Sequence, residues 1–419
     1  MKVNFWIKNA GAKYDLSQTE QGNPGIGGTQ YELSLVSCLL NKMCDDISVA
    51  VYTDNIGLSS KDVQISYVDN YSKMLHAINH TGEILVFAQT DVDQEFYQEL
   101  SETSIYAVAW VHNYLTYLEY KNINVTRNVK KIVFVGQQLY DHYIDTPLIK
   151  KSTVIYNCIP KYDEIKNNKD FDNPSIIFNG ALIRQKGFHV LAKAWNRILS
   201  ECPNAQLYVM GGNLYGNKAE VHDYIEKCCK YLRDKNGELL ESVHFLGALG
   251  NEKEKYYENA VVGVSNPTGQ TETFCLSAVE FEAHKIPVVT YNGYGLLDTV
   301  LDGETGIRIK KASQLSEAII QLIKNKKLNE KMGTAGRKFV NSTFTPEIII
   351  PKWHWLLTEG IQYELKSEFS FKNLADNYKW LYYFNSRLQK YFGIMQKISI
   401  HGISIWFKFK LKQILFRRK

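Results

Sequence analysis

The sequence VVGVSNPTGQTETFCLSAVEFEAHKIPVV, residues Val261–Val289, contains the pattern that decides the fold. Val261–Ser265 is apolar and has the length of a buried strand, and the Pro, Thr, Gly and Gln residues that follow are typical of a loop. Thr273–His284 predicts a helix, and a second apolar run begins at Val288. The stretch therefore predicts a strand, a loop, a helix and another strand.

Apolar runs of strand length, separated by helix-length spacers, continue in both directions from this stretch. Continuous β-branched runs of this kind indicate parallel strands that are covered on both faces by helices. The polar stretch Lys161–Pro174 resembles a linker and divides the runs into two series. The first series is Val3–Ile7, Ile47–Tyr52, Val63–Val68, Ile84–Phe87, Ile105–Val111, Ile132–Val135 and Val154–Tyr156. The second is Ile176–Phe178, Leu207–Met210, Val243–Leu246, Val261–Val264, Val288–Thr290 and Ile307–Ile309.

Two doubly wound, Rossmann-like α/β domains that face a cleft follow from these two series. We expect an N-terminal domain over residues 1–165 and a C-terminal domain over 166–345. A helical segment would occupy 346–376 and a basic tail 377–419. The length of 419 residues suits two domains better than one. Parallel sheets of this type bind ligands at the carboxyl ends of their strands.

Composition places the chain among globular proteins, with 45% hydrophobic and 22% charged residues. The seven cysteines include no CxxC pair, so the sequence predicts neither a disulfide framework nor a zinc site, and it favours a reducing compartment. The N-terminal residues enter a strand-like run rather than a signal peptide, and no apolar stretch approaches 18 residues. We therefore expect a cytoplasmic protein.

The C-terminal tail differs electrically from the rest of the chain. No acidic residue follows Asp376, and ten Lys and Arg residues after it give 377–419 a charge of +10, which leaves −5 of the total +5 for residues 1–376. Aromatic and aliphatic residues lie between these charges, a composition typical of an interfacial segment on an anionic membrane. A helix packed on the protein body with a basic outer face is the alternative, and nucleic-acid binding has no supporting motif.

Glu272 and Glu280 carry the clearest chemical signal. They lie about two turns apart, Glu272 at the mouth of the predicted helix and Glu280 on its wall. The N–H groups of Phe274, Cys275 and Leu276 would be unsatisfied first-turn donors, which commonly bind phosphate. Carboxylates beside a phosphate site suit the hydroxyls of a sugar and a ribose; a solvated helix face is the alternative.

Three further segments carry groups suited to a phosphorylated ligand. The glycine-rich loop Gly22–Gln30 precedes a predicted helix, although it fits neither the dinucleotide fingerprint nor a P-loop. Arg184 and Lys186 follow the strand that runs into Gly180, where cations can neutralise a diphosphate without a metal. His112 ends a buried strand and is expected at the cleft. The alternatives are a flexible loop, solvated cations and a core histidine.

The residues quoted above resemble the retaining, nucleotide-sugar-dependent glycosyltransferases of family 4, which have the GT-B fold. The resemblance covers roughly residues 1–360. It depends on the E-x7-E motif at Glu272 and Glu280, with Pro287 fifteen residues after the first glutamate, on the Gly27-Gly28 loop and on Gly180…Lys186-Gly187. Three departures are Ala181, where the family usually has arginine, Cys275, where glycine is common, and the segment 282–285, which lacks the usual glycine shortly before Pro287. Arg184 is our hypothesis for the missing charge.

The resemblance implies roles for these residues. Glu280 would bind the ribose and Glu272 the donor sugar, while Lys186 would stabilise the departing diphosphate and His112 would contact sugar or acceptor. It also implies a helix after Pro346 that crosses back to the first domain. The predicted catalytic residues are Glu272, Lys186, His112 and Arg184. The predicted donor-binding residues are Gly27, Gly28, Gly180, Gly211, Leu246, Gly247, Thr273, Phe274, Cys275, Leu276 and Glu280.

These expectations define a retaining, metal-independent hexosyltransferase of polysaccharide biosynthesis. It would use a UDP- or GDP-linked sugar and no other cofactor, and its glycan acceptor would be lipid-linked, such as a lipopolysaccharide, O-antigen or capsule precursor. The tail would make it peripheral on the inner face of the cell membrane. A nucleotide-sugar epimerase of similar fold and a non-catalytic scaffold are the alternatives.

Overall fold

The computed structural model describes residues 1–8, 11–78, 82–144, 146–162, 165–212, 218–363 and 400–416. The chain divides into two compact units. The first unit consists of Met1–Glu20, Thr29–Cys158 and Ile349–Lys419, and the second of Gln21–Gly28 and Ile159–Ile348. The glycine-rich loop therefore groups with the second unit, although the helix that follows it belongs to the first.

A seven-stranded parallel sheet forms the centre of the first unit, in the order β5-β3-β1-β6-β7-β8-β9. Short strands β2 and β4 pair separately. The strands are β1 (Lys2–Ile7), β2 (Tyr14–Asp15), β3 (Ser48–Thr53), β4 (Leu58–Ser59), β5 (Gln64–Tyr67), β6 (Ile84–Ala88), β7 (Tyr106–Val111), β8 (Val129–Phe134) and β9 (Ser152–Val154). The helices are α1 (Gly28–Met43), α2 (Tyr71–Ala77), α3 (Gln94–Ser101), α4 (Tyr117–Val125) and α5 (Gln137–Asp141).

The second unit has a six-stranded parallel sheet in the order β12-β11-β10-β13-β14-β15. The strands are β10 (Ser175–Asn179), β11 (Gln206–Met210), β12 (Val243–Gly247), β13 (Ala260–Val264), β14 (Val288–Tyr291) and β15 (Gly306–Ile309). The helices are α6 (Phe188–Glu201), α7 (Lys218–Cys229), α8 (Glu254–Tyr257), α9 (Leu276–Ala283), α10 (Leu296–Thr299), α11 (Leu315–Lys324) and α12 (Lys326–Asn341).

Close packing explains two glycines of the second unit. A Cβ on Gly263 of β13 would lie 2.4 Å from the ring of Phe281, so the glycine lets α9 pack directly on the strand. A Cβ on Gly333 of α12 would lie 2.0 Å from the carbonyl oxygen of Lys285. These two contacts fix α9, the helix that carries Glu280, between β13 and α12.

Two C-terminal helices complete the described residues: α13 (Pro346–Thr358) and α14 (Ile400–Phe416). Trp353 of α13 packs against Trp110 of the first sheet with ring centroids 4.6 Å apart. Helix α14 packs on α4, where Phe409 contacts Tyr117 at 5.1 Å. Within the described ranges, no helix combines the length and the apolar character needed to cross a bilayer.

The two parallel sheets confirm the predicted α/β class with two Rossmann-like sheets, and α14 confirms a helix in the C-terminal tail. The rest of that tail, residues 377–399 and 417–419, lies outside the described residues. One predicted boundary is wrong. Helix α9 begins at Leu276 and not at Thr273, so Phe274 lies before the helix and Cys275 is its N-cap.

Candidate functional site

Three glycines at the carboxyl ends of β10, β11 and β12 form the floor of the candidate site. The N–H of Gly180 donates to the carbonyl of Met210 at 3.0 Å, and the N–H of Gly211 donates to that of Gly247 at 2.8 Å. A Cβ on Gly211 would lie only 1.9 Å from the oxygen of Gly180. The predicted donor-binding glycines therefore meet across three neighbouring strand ends. Beside them, Leu246 packs against the core that contains Met210.

Glu272 lies in the loop between β13 and α9, and its carboxylate is 7% exposed. Its Oε2 accepts hydrogen bonds from Lys186 Nζ at 2.9 Å and from Asn266 Nδ2 at 2.8 Å. The other oxygen, Oε1, has no hydrogen bond to any described residue. The two donors hold the carboxylate in one orientation and leave one oxygen for a ligand.

The backbone of this loop is held in uncommon conformations. Asn266 and Thr271 have φ values of 37° and 59°, a region that L-residues seldom adopt. Asn266 also accepts the N–H of Gly269 at 3.0 Å through Oδ1. The carbonyl of Glu272 accepts the N–H of Gly295 at 3.1 Å. Strain of this kind persists only where the surroundings fix it, and it is concentrated at functional sites.

Lys186 ends a single 3-10 turn, Arg184–Lys186, which packs against the same loop. Gly187 follows with φ 80°, and its missing Cβ would lie 2.9 Å from Thr268 Cγ2. Thr268 Oγ1 donates to the carbonyl of Gln185 at 2.7 Å. The loop and the turn thereby place Lys186 against Glu272, although 86 residues separate them in sequence.

Glu280 is the centre of a second, more deeply buried cluster. Its Oε1 accepts Lys253 Nζ at 2.6 Å, and both side chains are only 5% exposed. Its Oε2 accepts the hydroxyl of Tyr257 at 3.3 Å and Asn179 Nδ2 at 3.4 Å. Burial, followed by the Glu280 charge, raises the pKa of Tyr257 well above its ordinary range, so this hydroxyl stays a neutral donor.

Sequence reasoning missed Lys253 and Tyr257. Lys253 belongs to the run Asn251–Lys255, NEKEK, whose alternating charges are typical of a solvated surface. Its position four residues before Tyr257 is the only local signal, because i and i+4 residues share a helix face. Burial of Lys253 depends on α9 packing beside α8, which the sequence of the run does not contain.

The start of α9 is lined by apolar side chains. Cys275 is 3% exposed, and burial, with a smaller contribution from Glu272, raises the pKa of its thiol to about 12. The thiol is therefore neutral at physiological pH. Phe274 packs edge-on against Phe344 at 5.3 Å, and a Cβ on Gly295 would lie 2.2 Å from the carbonyl of Thr273. The segment that enters the helix is fixed on both sides.

The glycine-rich loop contacts this region through its backbone. Asn23 Oδ1 accepts the N–H groups of Gly25 and Ile26, each at 2.9 Å, which closes the loop on itself. An added Cβ on Gly28 would lie 3.2 Å from Leu276 Cδ1 at the start of α9. The structure therefore brings Gly28, and with it the adjacent Gly27, to the phosphate-binding end predicted for α9.

The remaining predicted catalytic residues are Arg184 and His112. Arg184 is exposed, and its charge, after burial, lowers the pKa of His189; no hydrogen bond joins it to Glu272 among the described residues. His112 lies in the first unit and directly follows β7, and its backbone N–H donates to Gln89 Oε1 at 2.9 Å. Burial lowers the pKa of His112 to about 3, so its ring is neutral.

Known proteins resemble this chain in sequence and in fold. Residues 161–339 match the family model described as "Glycosyl transferases group 1". The match lies within the second unit. The match includes both glutamate clusters and the three strand-end glycines, and it ends within α12.

Two curated relatives come from Staphylococcus aureus. The chain is 31% identical to the capsular polysaccharide biosynthesis glycosyltransferase CapM over 191 residues. The aligned region covers 45% of this chain and 46% of CapM. It is 30% identical over 145 residues to a poly(ribitol-phosphate) alpha-N-acetylglucosaminyltransferase, covering 33% of this chain and 28% of that enzyme. The chain thus spans less than half the length of either relative.

Solved structures show the same fold over most of the chain. Sucrose-phosphate synthase from Thermosynechococcus elongatus matches with a TM-score of 0.64 at 17% identity, over 86% of this chain and 99% of the synthase. Anabaena HepE in complex with UDP and glucose matches with a TM-score of 0.64 at 15% identity, over 85% of this chain and 99% of HepE. At these identities the likeness shows the GT-B fold alone.

Proposed function

We propose that this protein is a retaining glycosyltransferase that moves a hexosyl group from a UDP- or GDP-linked sugar to a hydroxyl of a glycan. The observation that carries the proposal is the pair of lysine-anchored carboxylates, Glu272 with Lys186 and Glu280 with Lys253, beside strand-end glycines. Such sheets bind nucleotides at this edge. The relatives named as glycosyltransferases support the same activity.

In the proposed reaction, Glu272 binds hydroxyls of the donor sugar through Oε1, and the first N–H groups of α9 contact the diphosphate. Lys186 is 26% exposed, so its ammonium can meet the charge that develops on the diphosphate as the glycosidic bond breaks. Glu280 binds the ribose hydroxyls, and Gly180, Gly211 and Gly247 let the nucleotide approach the backbone. A lysine in this role makes a metal unnecessary for leaving-group stabilisation.

Transfer assays test this function. The protein is incubated with UDP- and GDP-linked sugars and a panel of glycan acceptors, and nucleotide release and product configuration are measured by chromatography and proton NMR. We expect retention at the anomeric carbon, and Lys186→Met to lower kcat about a hundredfold or more. Lys227→Met, which removes an exposed lysine paired with Asp223, is the matched control.

Two results of that assay contradict the proposal. Inversion at the anomeric carbon would exclude the retaining mechanism. Conversion of one nucleotide sugar into another without an acceptor would identify an epimerase instead.

The proposed acceptor is lipid-linked, and the proposed location is peripheral, on the cytoplasmic face of a membrane. Helix α14 supports this, because a basic set and an apolar set of its side chains are both exposed. The basic set is Lys408, Lys410 and Lys412, and the apolar set is Trp406, Phe407, Leu411, Ile414 and Leu415. Exposed apolar side chains beside lysines suit an anionic bilayer surface.

Vesicle sedimentation tests this part of the proposal. The double variant Trp406→Ser, Phe407→Ser is expected to lose binding to anionic vesicles, since two large side chains that enter the interface are removed. Ile56→Ser, which changes an 86% exposed apolar residue in the first unit, is the control and should bind as wild type does. Equal binding by all three proteins would exclude α14 as the contact.

A further inference from the structure

A pocket lined by four lysines lies in the first unit, away from His112. Its volume is about 360 Å³, and its lining includes the lysines Lys130, Lys131, Lys150 and Lys151 and the amides of Asn124 and Gln362. Lys130 and Lys131 are near the start of β8, and Lys150 and Lys151 directly precede β9. The pocket, which we call the lysine pocket, is therefore at the amino ends of these strands. His112 follows the carboxyl end of β7, at the opposite edge of the sheet.

Three of the four lysines contact neutral groups. Lys151 Nζ donates to the carbonyls of Ile123 at 2.6 Å and Val129 at 3.2 Å. Lys131 Nζ donates to the carbonyl of Tyr363, and Lys130 Nζ lies 4.8 Å from the centre of the Tyr106 ring. Carbonyls and a ring orient an ammonium group, but they do not cancel its charge.

Within the described part of the chain, no carboxylate pairs with Lys130, Lys150 or Lys151. None of the described residues that line the pocket is acidic. Burial, with the charge of Lys130, lowers the pKa of Lys151 to about 8. Mutual repulsion between these ammonium groups costs free energy, and a bound anion would offset this repulsion.

We propose that the lysine pocket binds a phosphate group, either as a free phosphate compound or as the headgroup of an anionic lipid. Lysine ammonium groups bind phosphate as point charges, and several around one cavity suit a multiply charged, tetrahedral anion. Lys151 has a third N–H beyond its two carbonyl bonds, and the amides of Asn124 and Gln362 add donors at the rim. This inference does not depend on the proposed transfer reaction.

The position of helix α14 is consistent with a lipid headgroup as the source of the phosphate. Helix α14 packs on α4, and Asn124 near the end of α4 lines the lysine pocket. Since α4 has nine residues, its ends are about 13 Å apart. A phosphate in the pocket and an interface contacted by α14 would thus use neighbouring parts of one unit.

The experiment compares two sources of phosphate on the full chain. Inorganic phosphate is titrated at low salt by calorimetry, and vesicles of phosphatidylglycerol or of phosphatidylcholine alone are tested by sedimentation. The variant Lys130→Gln, Lys150→Gln removes two charges that form no hydrogen bond within the described structure. The control variant Lys13→Gln, Lys61→Gln removes two exposed lysines elsewhere in the first unit.

We expect wild type and control to bind, and the pocket variant to bind phosphate or phosphatidylglycerol at least about tenfold more weakly. Binding of inorganic phosphate without a preference for phosphatidylglycerol identifies a free phosphate compound as the ligand. A preference for phosphatidylglycerol that the pocket variant loses identifies a headgroup. Absence of both in wild type, or equal affinity of the pocket and control variants, overturns the proposal. Matching thermal midpoints of the variants verify that folding is unchanged.

Discussion

The buried pair of Lys253 and Glu280 gives the sharpest test of the physical account. Replacing Lys253 by Met keeps the length and apolar stem of the side chain but removes the ammonium. Glu280 would then remain 5% exposed with only two weak donors, at 3.3 and 3.4 Å. A buried carboxylate without its partner must either stay charged at high cost or take up a proton.

The distance between Lys253 Nζ and Glu280 Oε1 sets the size of their electrostatic attraction. At 2.6 Å and an effective dielectric constant of about 20, the attraction between Nζ and Oε1 is about 6 kcal/mol before desolvation is counted. When the intact pair forms, the cost of removing both charged groups from water offsets much of this attraction. When Lys253 alone is removed, the Glu280 carboxylate stays buried and its desolvation cost is no longer compensated. We expect Lys253→Met to lower the free energy of unfolding by about 3–5 kcal/mol. The double variant Lys253→Met, Glu280→Gln should recover most of that loss.

Urea denaturation and calorimetry of both single variants and the double variant measure this coupling. The exposed pair Lys227–Asp223, with side chains 66% and 64% exposed, is the control, and Lys227→Met should cost under about 1 kcal/mol. Lys253 does not stabilise the fold through Glu280 if Lys253→Met costs no more than Lys227→Met, or if the effects of Lys253→Met and Glu280→Gln on the free energy of unfolding are simply additive. Because the readout is stability, the result does not depend on the proposed reaction.

Three further predictions concern stability. Lys285 has φ 59°, so Lys285→Gly should stabilise the protein by up to about 1 kcal/mol in thermal unfolding, whereas Lys285→Ala should not. Burial raises the pKa of Asp141 to about 7, so its contribution to stability falls as pH rises from about 4 to 7. Asp141→Asn should therefore raise the free energy of unfolding by up to about 4 kcal/mol at pH 8 and leave it unchanged at pH 4. Denaturant titrations at both pH values measure this difference. Gly295→Ala should destabilise by several kcal/mol in denaturant titrations, because its Cβ would lie 2.2 Å from the carbonyl of Thr273, whereas Gly180→Ala, with no atom nearer than 3.7 Å, should cost under about 1 kcal/mol.

The sheets could be predicted because buried parallel strands impose a simple rule on sequence. Both faces are covered, so the strand must be apolar throughout, as in Ala260–Val264, which the sequence predicts to within one residue. The two-residue strands β2 and β4 were not predicted, since a single pair of residues leaves no periodicity to detect. Local hydrophobicity thus identifies core elements and misses short edge pairs.

The start of α9 shows why the site was predicted less well than the sheets. The sequence pattern predicts a helix from Thr273, yet the helix begins at Leu276. Contacts from distant residues hold the preceding segment: Asn266 and Lys186 bind the carboxylate of Glu272, and Gly295 binds its carbonyl. Tertiary contacts hold the segment before the helix, and one sequence does not reveal them.

The two glutamates share one arrangement, but their lysine partners differ in exposure, and this difference separates binding from stability. Each carboxylate is anchored through one oxygen to a lysine, Lys186 for Glu272 and Lys253 for Glu280. Lys186 is 26% exposed and can turn toward an anion, while Lys253 is 5% exposed and has little access to one. Lys186→Met should therefore lower turnover and cost less free energy of unfolding than Lys253→Met, because Asn266 Nδ2 at 2.8 Å still donates to the Glu272 carboxylate. Lys253→Met should mainly lower the free energy of unfolding, and any effect on turnover would arise through Glu280. Measuring kcat and the free energy of unfolding for both variants tests whether the two lysines differ in role. Equal losses of both quantities at both positions would mean that the two ion pairs have the same role.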